Sequence, residues 1–450
     1  MSLTRRQWLG SAASALPALG ALPFIPGAAQ ASDYRAVVVL FLTGGNDGHN
    51  CLVPTDAAYG DYQRARTNLA LPKASLVTLP GSSAGHSFGM HPALAPLAPL
   101  YASQRLAWIA NAGTLVEPAT GAQVRNNLVR VPPFLLSHSE AVLIQQGWTV
   151  QDDLSGWAGR AIERLPTALT HRLNAITMSN SRTLVQGLRS APAMLDAFGL
   201  PQHFGPRGAS LLEPGRAEVK AMYALARRQL PNAYANEYLR TVLRTLEDAT
   251  ALAQLTESAG EPTQDFGSGY LGQWLRRVAR LMRGAKAQGL RRQVFYVPWG
   301  NFDTHANQRG SDSVTQDMQL VEMAKAVAAF DEANRSAGLG DDVITLLMSD
   351  FGRTLRPGSG GGSEHAWGNH LFALGGTVAG GQVLGTFPDL TLGGPDDGDV
   401  AANGRHVPSI SIDQIGATLM QWLGLPASEF HDVFPWLVNF QQKTIPLLRT

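Results

Sequence analysis

The side chains able to do chemistry fall in five short stretches, each with a carboxylate, an imidazole or a nucleophilic hydroxyl. They are Thr43-Gly44-Gly45-Asn46-Asp47, Ser137-His138-Ser139-Glu140, Asn301-Phe302-Asp303-Thr304-His305, Ser349-Asp350-Phe351-Gly352-Arg353 and Glu364-His365 with His370. Carboxylate oxygens and imidazole nitrogens together suit zinc, manganese or iron, whereas calcium and magnesium prefer shells made only of oxygen. Three aspartates gathered at one place would repel one another, and a divalent cation removes that cost. Each stretch alone also has a plain structural reading: an Asp/Gly turn at Asp47, an N-cap at Ser137 or Ser139, a salt bridge at Arg353.

What must position these residues is a sheet. Residues 36–42 are a continuous apolar run, the signature of a strand buried on both faces, and residues 293–297 and 343–348 have the length and character of strands. Asp47, Asp303 and Asp350 each lie just beyond one such run. Parallel strands place all their carboxyl ends on one edge, and ligands of open α/β sheets bind there. Residues 105–110 and 174–178 read as further strands. A proline-containing helix at 91–100 and a long amphipathic helix at 315–336 supply strand-helix-strand connections. The last helix spans 411–422, with Ser411 or Asp413 as its start. Residues 380–394 read as a glycine-rich hairpin region.

Residues 205–290 differ, because apolar and charged positions alternate there at helical spacing, as in Leu271, Leu275, Val278 and Met282. This stretch is expected to be a helical insertion or cap that packs, with Arg276, Arg277 and Arg280 on a solvated face. The fold class expected is α/β, a mostly parallel sheet with helices on both faces.

Composition narrows the function classes. The 450 residues are 44% hydrophobic and 16% charged, enough for a large core. A formal net charge of +1 carries no nucleic-acid footprint. Arg5 and Arg6, followed by an apolar Ala/Leu-rich run and the small-residue site Ala29-Gln30-Ala31, read as a twin-arginine export signal over residues 1–31. An uncleaved membrane anchor is the other reading of that segment. The mature chain, 32–450, is then one domain delivered to the periplasm or beyond. Cys51 is the only cysteine, so an internal disulfide is impossible and the core must supply stability.

The five stretches in order, with Gly380-Gly381-Gln382-Val383-Leu384-Gly385-Thr386-Phe387-Pro388, resemble the bacterial family catalogued as domain of unknown function 1501 over nearly the whole mature chain. That family is similar in fold to the alkaline phosphatase and sulfatase superfamily. The resemblance implies a metal site at the carboxyl edge of the sheet. Asp47, Asp303, His305, Asp350 and His365 would hold metal. His365 and His370 are alternatives for the last ligand, and His370 otherwise contacts substrate. Ser137 stands at the nucleophile position, with Ser139 and Thr43 as alternatives, and Arg353 would bind an anionic oxygen. Phe351 departs from the superfamily, where histidine follows the aspartate. Glu364-His365-Ala366 departs from the Asp-His-Gly common in the family. The function implied is metal-dependent hydrolysis of a small phosphate or sulfate ester. The alternative is a non-catalytic periplasmic or surface protein of the same fold with an envelope partner.

Overall fold

The computed structural model describes residues 33–148, 154–195 and 217–449. The expected export signal and the first part of the 205–290 stretch lie outside the described residues. One sheet of nine described strands organises the rest. In chain order these are β1 (Arg35–Leu42), β2 (Leu106–Gly113), β3 (Ala175–Thr177), β4 (Ala193–Met194), β5 (Arg292–Trp299), β6 (Val343–Ser349), β7 (Asn369–Leu374), β8 (Val383–Leu384) and β9 (Ile410–Ser411). Their spatial order is β8-β2-β7-β6-β1-β5-β3-β4, with β9 also on β2.

β1 is central and parallel to both neighbours, Leu42 standing opposite Trp299 on one side and Ser349 on the other. Its residues alternate between two cores. Val38, Leu40 and Leu42 face one side, while Val37, Val39 and Phe41 face the other. Burial on both faces is what a continuous apolar run requires of a strand. β7 alone among the nine runs against its partners, β2 and β6. Its first residue therefore starts at the edge where β1, β5 and β6 end. That reversal brings the segment before β7, with Glu364 and His365, to the carboxyl edge.

Helices cover both faces. On one side lie α1 (Tyr270–Ala287) and α2 (Gln316–Ser336), whose Val278, Met282, Met323 and Val327 share a core with Val38 and Phe295. The other face receives α3 (Ile412–Leu423) through Ile415 and Leu419. Ser411 starts α3 with a capping box to Gln414, and Gly424 ends it in the left-handed conformation. No helix among the described residues is long and apolar enough to cross a membrane.

Two expectations change. Residues 92–102 form a 3-10 segment and one short α-turn rather than a single helix, since Pro96 and Pro99 lack the N–H that a continuous helix needs. Residues 380–394 form no hairpin: Val383 and Leu384 run parallel to β2. The 205–290 stretch is also divided in its packing. α1 belongs to the sheet core, whereas Leu246 of the helix Ala233–Glu257 nucleates a small separate cluster with Met222, Tyr223 and Val242.

Two buried polar groupings load this fold. Asp47 has no exposed side-chain surface, and neither has its ion-pair partner Arg66. Its carboxylate also accepts from Gln308 Nε2 at 2.6 Å and from the His49 backbone N–H at 3.1 Å. Removing the carboxylate would leave a buried guanidinium uncompensated. Beside it, the buried rings of His49, His370 and His406 pack edge to face, with His49 5.3 Å from His370 and 5.0 Å from His406. His370 Nδ1 accepts from the Asn111 backbone N–H at 3.1 Å, so a neutral His370 carries its proton on Nε2. Burial lowers the pKa of all three, His49 well below the ordinary range and His370 to about 3.

Asp47→Ala should therefore cost about 3–5 kcal/mol in urea unfolding, and adding Arg66→Met should restore part of the loss; an Asp47→Ala protein as stable as wild type would refute this role. The histidines give a sign for acid. Their stability is present above pH ~6.5 and is lost below it, because the unfolded chain takes up protons that the folded chain refuses, at up to ~1.4 kcal/mol per pH unit per histidine. Unfolding free energy should fall from pH 6.5 toward pH 4, less steeply in His370→Gln. Equal slopes in the two proteins would rule the cluster out as a source of acid sensitivity.

Candidate metal centre

The loop after β5 carries Asp303, and four groups converge on its Oδ1. Arg353 Nη2 lies at 2.6 Å, His305 Nε2 at 3.0 Å, and His138 Nε2 and His365 Nε2 each at 3.3 Å. His305 Nε2 and His365 Nε2 are 2.9 Å apart. The backbone explains the convergence. Asp303 follows β5, and Arg353 follows β6. His365 ends the short strand Ser363–His365, which pairs with Arg353–Pro357 so that Arg353 faces His365. His138 opens the helix His138–Gln145.

Each imidazole is held by its other nitrogen. His138 Nδ1 is 2.9 Å from Asp350 Oδ2, His305 Nδ1 is 2.7 Å from Glu364 Oε2, and His365 Nδ1 is 2.8 Å from the Leu136 carbonyl. A carbonyl only accepts, so His365 Nδ1 carries a proton and its neutral Nε2 presents a lone pair. Carboxylates at the other two Nδ1 atoms favour the same tautomer. Three lone pairs then surround a carboxylate oxygen at hydrogen-bond distance. Acceptor facing acceptor is repulsive unless positive charge lies between them. Protons could supply it, but the imidazolium charges would then crowd together, with ring centroids 4.4 Å apart for His138 and His365 and 4.7 Å for His305 and His365. One metal ion held by His138, His365 and Asp303 would supply it without that repulsion.

The donors fit the ions expected from the sequence, nitrogen and carboxylate oxygen suiting zinc, manganese or iron. Ligand atoms of His138, Asp303 and His365 all lie within 4.8 Å of one another, whereas His305, close to Asp303 and His365, lies outside that reach of His138. Side-chain exposure of 34% at His138, 37% at Asp303 and 39% at His305 leaves the cluster open to solvent on one side. Asp350, at 3%, lies beneath.

Electrostatics prepare the carboxylates differently. Burial acts to raise Asp303, but the hydrogen bond and charge of Arg353, with the charges of His138 and His305, bring it down to about 2. Burial pushes Asp350 up despite its His138 hydrogen bond. Burial lowers His365, partly opposed by the Leu136 carbonyl.

The expected residues thus divide. Asp303, His305 and His365 meet at one point, with Asp350 one residue removed behind His138. Asp47 is taken up by Arg66 and Gln308. His370 is buried and stacks on Phe387, with centroids 5.0 Å apart. Arg353 has no exposed surface; its donors are spent on the carbonyls of Gly44, Gly45, Phe302 and Ser363 and on Asp303. Ser137 is adjacent to the cluster in sequence, and its exposed hydroxyl donates to Glu140. Two residues had no role in the expected metal set, His138 and Glu364. Both lie inside motifs that carry the family resemblance. The chemistry of their types was available there, but the pairing of His138 with Asp350 spans 212 positions and has no local signal.

Among solved structures, the chain is similar to Ps i-CgsB, with 9% identity, a TM-score of 0.40 and coverage of 91% of this chain and 77% of that one. It is also similar to the PsFucS1 sulfatase from Pseudoalteromonas sp. (10% identity, TM-score 0.35, 88% and 68% covered). A protein in the alkaline phosphatase superfamily from Vibrio parahaemolyticus matches at 10% identity and a TM-score of 0.32, with 87% and 67% covered. No curated protein matches by sequence. The family model described as "Protein of unknown function (DUF1501)" matches residues 34–427, and the chain belongs to that family.

Proposed function

We propose that this protein is an exported, metal-dependent hydrolase of small phosphate or sulfate esters. One observation carries the reading: the Nε2 atoms of His138, His305 and His365 converge within 3.3 Å of Asp303 Oδ1 while their Nδ1 atoms are held from outside. That arrangement is pre-organised for a cation and open to solvent on one side. When bound, a zinc, manganese or iron ion supplies Lewis acidity for the charged oxygens of the ester. The chain's residues do the rest. Arg353 keeps Asp303 ionised and fixed. Asp350, Glu364 and the Leu136 carbonyl fix three ring orientations, which spares reorganisation during the reaction. Ser137 is the hydroxyl beside His138 and is the nucleophile in this reading, with Glu140 to accept its proton. Arg353 acts through Asp303 and not on the substrate. The export part of the proposal rests on Arg5-Arg6 and the apolar run after them.

The buried Arg353 also favours a second reading, a non-catalytic envelope protein that retains the ion, because its guanidinium is consumed inside the fold rather than offered to an anion.

Metal content by plasma mass spectrometry, paired with turnover of aryl phosphates and sulfates, tests both. Wild type should carry transition metal and hydrolyse at least one ester class. Asp303→Ala and His365→Ala should lose the metal and lower kcat/KM by at least about 100-fold. Folded wild type that takes up no metal on reconstitution defeats the hydrolase reading, while metal without turnover on a broad ester panel selects the second.

A further inference from the structure

We propose that the loop leading into the cluster reads the alcohol half of the substrate, that this half is an aryl or alkyl group rather than a sugar, and that Phe134 is the specificity-determining residue. The inference rests on the hydrolase reading above and adds its substrate class.

The segment 131–136, Val-Pro-Pro-Phe-Leu-Leu, carries no polar side chain and runs directly into Ser137 and His138. Its end is fixed at the cluster, because the Leu136 carbonyl accepts from His365 Nδ1 at 2.8 Å. Two residues of extended chain reach no further than about 7 Å, so the backbone of Phe134 stands within that distance of Leu136. The start of the loop is fixed as well. The Leu128 N–H donates to the Gln123 carbonyl at 2.9 Å, and the Arg130 N–H and Nε donate to Glu117 Oε1 at 2.9 and 3.2 Å. Leu135 packs against the same core as Ile415 and Leu419 and holds the segment to the domain.

This anchored loop nevertheless turns large apolar side chains outward. Leu128 is 72% exposed and Phe134 62%, and Val131 is exposed with them. Phe134 also has a φ of +53°, a conformation that a bulky side chain rarely adopts and that persists only where its surroundings enforce it. The Ser137 N–H closes that turn on the Phe134 carbonyl at 3.0 Å. Glycine would relieve the backbone here, and an exposed ring returns little burial to the fold. Strain of this kind gathers at ligand clamps, and exposed apolar surface beside a reactive cluster gathers at binding grooves. A sugar would need hydrogen-bonding side chains at this position. The segment offers hydrocarbon and an aromatic face, which suit an aryl or alkyl alcohol.

Calorimetric titration of the zinc-reconstituted mature chain with methyl-, hexyl- and phenylphosphonate, and with the matching sulfonates, measures this choice without turnover. Each probe carries an anionic group and no cleavable ester. Wild type should bind the hexyl and phenyl probes of one series at least about 10-fold more tightly than the methyl probe. Phe134→Ala should bring that ratio below about threefold while keeping the zinc content and urea midpoint of wild type, and Phe134→Tyr, which keeps the ring, should restore it. Equal affinity across the series, or a ratio unchanged in Phe134→Ala, overturns this inference and leaves the hydrolase to its own turnover test. No affinity for any probe overturns both. An apolar preference without ester turnover supports the role of the loop and removes only the hydrolase. Co-sedimentation with phosphatidylcholine vesicles that depends on Phe134, without a preference among the soluble probes, makes the loop a membrane contact and overturns the substrate class.

Discussion

A single buried guanidinium holds the carboxyl edge together. Arg353 has no contact with solvent, yet it reaches the Gly44 and Gly45 carbonyls after β1, Phe302 and Asp303 after β5, and the Ser363 carbonyl on the way to His365. Those groups come from three separate connections that would otherwise be free to diverge. A buried charge of this kind persists only when its donors are satisfied, and here carbonyls and one carboxylate do so. Close approach of the β1 loop is part of the same constraint. A Cβ on Gly44 would lie 2.6 Å from the Asp303 backbone nitrogen, and its φ of +99° suits glycine alone. Asp303 is thus fixed before any ligand arrives, and the three histidines have a fixed point to surround.

The same sheet edge treats its aspartates in opposite ways. Asp47 and Asp303 both follow apolar strands, and nothing local separates them. Arg66 and Gln308 reach Asp47 inside the protein and convert it into a structural anion. Asp303 keeps one oxygen toward an open cluster of imidazoles. Asp350 takes a third course, buried and bound to a histidine that itself faces the centre. Strand position brings a carboxylate to the edge; partners from distant loops decide whether it stays open to solvent, braces a histidine or becomes an internal counterion.

That division explains how much of the molecule is legible in the sequence. Apolar runs at 36–42, 293–297 and 343–348 specify central strands because burial on both faces leaves no other use for them. The aspartates that follow therefore mark one edge. Ser411 marks the start of the last helix because capping is local. By contrast, the reversed direction of β7 has no sequence signal, since an apolar run reads alike in either direction. The Arg66 partner of Asp47 and the Asp350 partner of His138 are equally silent, being long-range pairings of ordinary surface residue types. Ser137 draws attention as a hydroxyl before a helix, but it is the adjacent His138 whose ring enters the centre. Ser137 is the extended N-cap residue and His138 the first residue of the helix, so their side chains leave the backbone in different directions.

Phe351 supplies the floor of the imidazole cluster. Its ring is 2% exposed and packs 4.8 Å from His138 and 4.5 Å from His365 by centroid, and the Arg353 guanidinium lies 5.8 Å from it. An apolar wall against two imidazoles restricts their rotation and excludes water from their inner faces, which strengthens every charge interaction at the centre. It also holds the guanidinium face from below, as a cation over an aromatic ring. His138 reaches the cluster from a different element, and Asp350, left at the edge by β6, orients its ring from below.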